Sequence, residues 1–251
     1  VTGSPPDPTT EPTTDATTDP TTDPTADPTA GPAGPKTYPP TPRTTGTRAR
    51  ERMAYDRETV HAVLDAGYLC HLGFVRDGAP VVLPTLYARV GERLYVHGST
   101  GSRPLREAGQ TDEGVPVCVT VTHVDGLVLA KAAFHHSVNY RSVVAHGLAY
   151  PVTDHEERLL ALDAIVENAV PGRAADSRRA DPKELAATAV VRVDLDEVSA
   201  KSRSGGPGDE PEDLDLPYWS GVLPVSPGYG APIPADDLAP DIPVPGYLTA
   251  R

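Results

Sequence analysis

The chain has 251 residues and carries 35 acidic against 22 basic side chains, a net charge of −13. That length suits one ordinary domain or at most two small ones. The acidity, with no basic stripe, argues against nucleic acid or an anionic membrane as a partner, and no apolar run reaches the ~18 residues of a membrane span.

Prolines and charges divide the chain. Twelve of its 29 prolines fall in residues 1–50 and ten in residues 207–251. Both flanks are net acidic, −2 and −7, which leaves −4 for the middle. Residues 7–28 repeat Thr-Thr-Asp-Pro with no large apolar side chain, so they bury too little surface to offset ordering entropy. The reading is a disordered tail over residues 1–45, a folded domain over residues 46–206, and a proline-rich acidic extension over residues 207–251 that packs in part on that domain. No charged segment followed by an apolar one opens the sequence, so a cytoplasmic protein is expected. Cys70 and Cys118 lack a Cys-x-x-Cys partner and sit in apolar strand patterns, as buried reduced thiols do.

In the middle, Asp56 is a candidate N-cap for a helix with Val60, Val63 and Leu64 on one face and Gly67 as its stop. Strands follow over residues 68–76, 80–90 and 93–98, punctuated by the hairpin signals Asp77-Gly78 and Gly91-Glu92. Ser102 caps a short helix with Pro104 in its first turn and Gly109 at its end. Strands are expected again over residues 115–122, 126–133 and 140–152. Thr153 and Glu156 fit a capping box for a helix carrying Leu159, Leu162, Ile165 and Val166, and Asp181-Pro182 starts another. Residues 189–198 return as a last strand. The pattern describes a mainly β domain with peripheral helices, a split β-barrel of about six antiparallel strands.

Two segments carry the chemistry. Leu94-Tyr-Val-His-Gly-Ser-Thr-Gly-Ser-Arg103 runs from a strand through small residues into a helix start, where backbone N–H groups and the helix dipole attract an anion. His136-Ser-Val-Asn-Tyr-Arg-Ser-Val-Val144 adds hydroxyls and a second guanidinium. Arg103 and Arg141 could give a phosphate forked, charge-assisted bonds. Taken alone, Arg141 in a strand reads as an ion-pair partner, and Ser99 and Ser102 as ordinary loop and cap residues.

In their order, these segments, with Asp125-Gly-Leu-Val-Leu-Ala130 and Phe134-His-His-Ser137, resemble the pyridoxamine 5′-phosphate oxidase-like split-barrel flavoproteins, in particular the flavin-nucleotide-binding branch related to the nitroimidazole-resistance proteins. The resemblance spans about residues 41–225. It implies FMN held at a homodimer interface, its phosphate gripped by Ser102 and Arg103 with Tyr140, Arg141 and Ser142. Pro104 stands where the oxidases carry a second basic residue, and no match to their pyridoxal-phosphate-binding residues is found, so pyridoxamine oxidation is not expected.

His97 ends a strand where the related resistance proteins carry a histidine near the flavin ring. It reads either as a half-buried structural histidine or as a proton donor beside a reduced flavin, since its unperturbed pKa lies near ~6.5. His135 and His136 are adjacent on a strand and point to opposite faces, and with His123 and His146 they give no zinc spacing, so no metal is expected. Lys131, Lys201 and Arg203 read as rim charges. Trp219, the one tryptophan, anchors the C-terminal segment or covers the flavin of a partner. The function expected is an FMN-dependent oxidoreductase acting with a small-molecule substrate or electron donor. The alternatives are a non-catalytic flavin- or haem-binding module and an F420-dependent reductase.

Overall fold

Side chains alternate along β2 (Leu69–Arg76): Cys70, Leu72 and Phe74 are buried while His71 and Val75 face out. That period of two repeats round the molecule and makes a barrel wall. The structure, a computed structural model, describes residues 36–100 and 113–249. β2 turns through Asp77 and Gly78, whose φ values of 50° and 77° are those of a type I′ turn, into β3 (Ala79–Val90). A second turn at Gly91 leads to β4 (Arg93–Ser99). After residues 101–112 come β5 (Val115–Leu129) and β6 (Ser137–Pro151), then β7 (Thr188–Asp194) and β8 (Glu197–Arg203).

Hydrogen bonding runs through β6, β7, β4, β3, β2 and β5 and returns to β6, so six antiparallel strands close a ring. β6 is long enough to pair with β7 by its C-terminal part and with β8 by its N-terminal part, which splits the wall. Short strands extend it, β1 (Met53–Ala54) on β8 and β9 (Gly221–Pro224) on β5. Inside lie Leu72, Phe74, Val119, Val121, Val143, Ala145 and Val193. Helix α1 (Arg57–Asp65), capped by the Asp56 carboxylate on Thr59 N at 2.8 Å, drives Val60, Val63 and Leu64 into one end of this core. Helix α2 (His155–Ala169) packs Ala161 and Ile165 outside the ring against Ala88, Tyr95 and Val190, and α3 (Pro182–Ala187) starts at Asp181 as expected, in a capping box with Glu184.

Four expectations change. The two strands expected over residues 115–122 and 126–133 are one strand that ends at Leu129, bent at a bulge between Val124 and Gly126 that keeps both halves in register with β6. Ala133–His135 form a 3-10 turn, so, contrary to expectation, His135 and His136 are not on a strand. The last strand is two, because the turn at residues 195–196 sends β8 to the other partner of the split. Asp154, not Thr153, caps α2, accepting from Glu157 N at 2.8 Å. Residues 36–45 belong to the fold: Tyr38 and Thr44 are buried, and Tyr38 joins the main core. The helix expected over residues 102–109 lies outside the described residues.

The C-terminal extension is fastened by polar groups. The Asp209 carboxylate accepts from the backbone N–H of Lys131 and Ala132 at 2.9 and 3.1 Å, and the Lys131 ammonium donates to the Leu216 carbonyl at 2.8 Å. Arg203 donates to the Asn139 side chain and the Gly206 carbonyl, and Lys201 donates to the Arg48 carbonyl at 3.1 Å. The three residues read as rim charges hold the flanking segments in place.

Candidate cofactor site

Residues paired across neighbouring strands share a face. Inward rows end in core residues, so the outward rows are fixed: Val124 with Tyr140, Thr122 with Ser142, Thr120 with His71 and Val144, Cys118 with Gly73 and His146. Tyr140 and Ser142 therefore look out of the barrel, and the Ser142 hydroxyl donates to the Lys201 carbonyl at 3.2 Å.

Arg141 lies between them in sequence and points the other way. With Val143 and Ala145 it belongs to the inward row, at the end covered by α1. A hollow of about 310 Å³ there is lined by Thr59, Val63, Arg141 and Ser202. The guanidinium is engaged bidentately by Asp125, with Nε 3.0 Å from Oδ2 and a terminal nitrogen 2.9 Å from Oδ1. Asp125 occupies the bulge, where its carbonyl also accepts from Val225 N. The hydrogen bond from Arg141 holds the Asp125 carboxyl below the usual carboxylate range. Tyr140, Arg141 and Ser142 therefore do not converge on one anion, because strand alternation separates them and Asp125 neutralises the arginine.

His97 faces out of β4 beside Val190, and its Nδ1 is buried with no hydrogen-bond partner among the described residues. Burial pulls its pKa below the ordinary histidine value, so the ring is neutral at pH 7. Ser99, exposed, ends the same strand. Ser102 and Arg103 lie outside the described residues. β7 stands between β4 and β6, so one barrel presents His97 and Tyr140 on different walls.

Trp219 is 67% exposed and stands against Gly221, where a Cβ would come within 2.9 Å of its ring. Gly221 pairs with Leu129 and Leu223 with Leu127, on the face that Val138 and Tyr140 share. Trp219 thus joins Tyr140 and Ser142 on an open apolar and hydroxyl-bearing strip that includes Leu127, Val138 and Leu223. The sequence reading missed His71, an exposed imidazole on the same outer surface, because nothing in the β2 pattern marks an outward histidine as more than a solvated residue. Among the described residues no cluster of three or more His, Cys, Asp or Glu is arranged for a metal ion, and no helix is long and apolar enough to cross a membrane. Cys70 is buried and its thiol is pushed up to about 12 by that burial, while Cys118 is half-buried, and neither forms a disulfide.

This split barrel, with its outward Tyr140–Trp219 strip, belongs to the pyridoxamine 5′-phosphate oxidase-like family, whose model, described as pyridoxamine 5′-phosphate oxidase, matches residues 56–202. Among solved structures, the flavocytochrome Anf3 from Azotobacter vinelandii is 36% identical, with a TM-score of 0.77 over 84% of this chain and 97% of that one. The FAD and haem binding protein from Mycobacterium smegmatis is 38% identical, with a TM-score of 0.74 over 79% and 96%. No curated protein sequence matches the chain.

Proposed function

We propose that this chain is a redox protein that binds a flavin and a haem and works as a homodimer. The observation that carries the reading is likeness along the whole fold, at 36% and 38% identity, to a flavocytochrome and to a protein named for both FAD and haem. FAD is preferred to the FMN of the sequence reading because the Mycobacterium protein is named for FAD.

In this reading Tyr140, Ser142 and Trp219 line the flavin, and Ser99 at the end of β4 meets its phosphate together with Ser102 and Arg103, as the family resemblance implies. The bound flavin supplies the electron chemistry, while the protein sets its orientation and the access of water and of a small-molecule donor. The orphaned His97 Nδ1 suits a hydrogen bond to a polar edge of the ring. The flavin would lie at the seam of two copies of the chain, as the family resemblance implies, with His97 and Tyr140 on different walls of the barrel.

The test is purification of the full chain from cells supplied with haem precursor and riboflavin, with mass spectrometry of released cofactors and sedimentation with and without flavin. FAD and haem at one each per chain, in a dimer tightened by FAD, is expected. Recovery of FMN alone, or a monomer that keeps stoichiometric flavin, would overturn the corresponding part. Reduction assays with NADH and NADPH then separate an oxidoreductase from a carrier.

A further inference from the structure

We infer that the haem sits on the outward face of the β2–β3 hairpin with His71 as its iron ligand. The inference rests on the haem half of the function proposed above. The chain has eight histidines and all lie among the described residues. Most are committed elsewhere. His61 Nε2 lies 2.9 Å from the Tyr38 hydroxyl and 3.3 Å from Glu92. His123 Nε2 is 2.9 Å from the Val63 carbonyl, and its ring lies against Gly67. His136 Nδ1 accepts from Ala130 N at 2.9 Å, which leaves its proton on Nε2 and no lone pair there for iron. His135 lies 3.9 Å from Glu210, and His155 opens α2 between Asp154 and Glu156. His97 is half-buried beside Val190, and His146, also half-buried, has Glu197 as its cross-strand neighbour.

His71 differs from all of these. It is exposed, it has no hydrogen-bond or ion-pair partner among the described residues, and its surroundings are apolar. Leu69, Val75 and Val82 on the same face are 47%, 65% and 61% exposed, and its cross-strand neighbours are Pro84 on β3 and Thr120 on β5. Two residues along lies Gly73. A Cβ there would stand 3.8 Å from Cys118 Cβ and 3.9 Å from a Val82 methyl, so the bare backbone leaves a shallow recess between those side chains. These residues suit a haem: Leu69, Val75 and Val82 would pack on its apolar ring, and the unpartnered His71 imidazole would supply the nitrogen ligand to its iron. No electron is transferred when that coordination bond forms.

The experiment titrates the full chain, loaded with FAD, with ferric protoporphyrin IX and compares it with His71→Ala, His71→Gly and His146→Ala. Soret absorbance, haem stoichiometry, flavin content and sedimentation are read together. The native chain and His146→Ala are expected to take one haem. His71→Ala should lose it while keeping FAD and its melting temperature, and free imidazole should restore the Soret band of His71→Gly. An unchanged Soret band in His71→Ala overturns the assignment and leaves the haem reading standing. A native chain that takes no haem overturns both. Dissociation of the dimer in His71→Ala with haem retained would assign the face to a second copy of the chain and overturn the inference.

Discussion

Arg141 and Asp125 meet fork to fork across the bulge in β5, two nitrogens on two carboxylate oxygens at 2.9–3.0 Å. The pair joins three parts of the molecule. Asp125 also accepts the backbone of Val225, at the end of β9, and Arg141 borders the hollow beneath α1. A guanidinium held in this way is a structural tie with little net charge to offer a phosphate.

Arg141→Ala should therefore lower stability by only about 0.2–1 kcal/mol, the range for partly exposed pairs, and leave the flavin dissociation constant nearly unchanged. Asp125→Ala should behave alike. Fluorescence titration decides the point: a loss of roughly ten- to a hundredfold in Arg141→Ala, the effect of deleting a charged hydrogen bond, would return the arginine to the phosphate.

The lowered pKa values of His97 and His61 both come first from burial, which disfavours the charged ring. Unfolding raises each towards ~6.5, so the unfolded chain binds more protons below that pH. Their stabilising contribution is present above pH ~6.5 and is lost as pH falls. Between pH 7.5 and 5.5 the unfolding free energy should fall with falling pH, each histidine contributing less than the ~1.4 kcal/mol per pH unit of one full proton. Denaturant titrations of His97→Leu should show a shallower pH dependence than the native chain. At pH 7 the variant should be as stable as the native chain or more so, because it removes an unpaired buried nitrogen, and it should bind flavin more weakly.

Gly221 keeps room for Trp219, and a side chain there meets the indole. Since Trp219 is the one tryptophan, its emission reports directly on the site. Flavin should quench it in the native chain. Trp219→Ala should weaken flavin binding by about 0.5–1.5 kcal/mol, the worth of an aromatic pair beyond its buried area, and Gly221→Val should do the same by displacing the ring. Absence of quenching in the native chain with unaltered affinity in Trp219→Ala would place the indole away from the flavin.

Truncation separates the tail from the fold at a defined residue. Removing residues 1–35 should leave the melting temperature and the flavin content unchanged. Removing residues 1–40 takes Tyr38 from the core and breaks its hydrogen bond to Glu92, at 2.7 Å, with an expected loss of about 3–5 kcal/mol. Equal melting curves for the two truncations would show that Tyr38 contributes nothing to the core.

Local pattern carried most of the fold. Alternation in residues 69–76 and 79–90, the Asp77-Gly78 turn and the caps at Asp56 and Asp181 are properties of neighbouring residues, and each stands where the sequence places it. The motif order also identified the family. What the sequence could not fix depends on partners distant along the chain. Residues 126–133 follow residues 115–122 as an apparent second strand, and only pairing with β6 across the bulge makes residues 115–129 one strand. Tyr38 precedes a proline pair at the edge of a low-complexity tail, and its burial follows from α1 and Glu92 lying over it. Arg141 looks like a companion of Tyr140 and Ser142 because they adjoin in sequence. A period of two sends it to the opposite face, where Asp125, 16 residues away, takes its charge. His71 gained a candidate role only when the ring placed exposed aliphatic side chains and Gly73 around it. Strand and turn preferences are set within a few residues, whereas the face a side chain meets and the charge beside it are set by closure of the barrel.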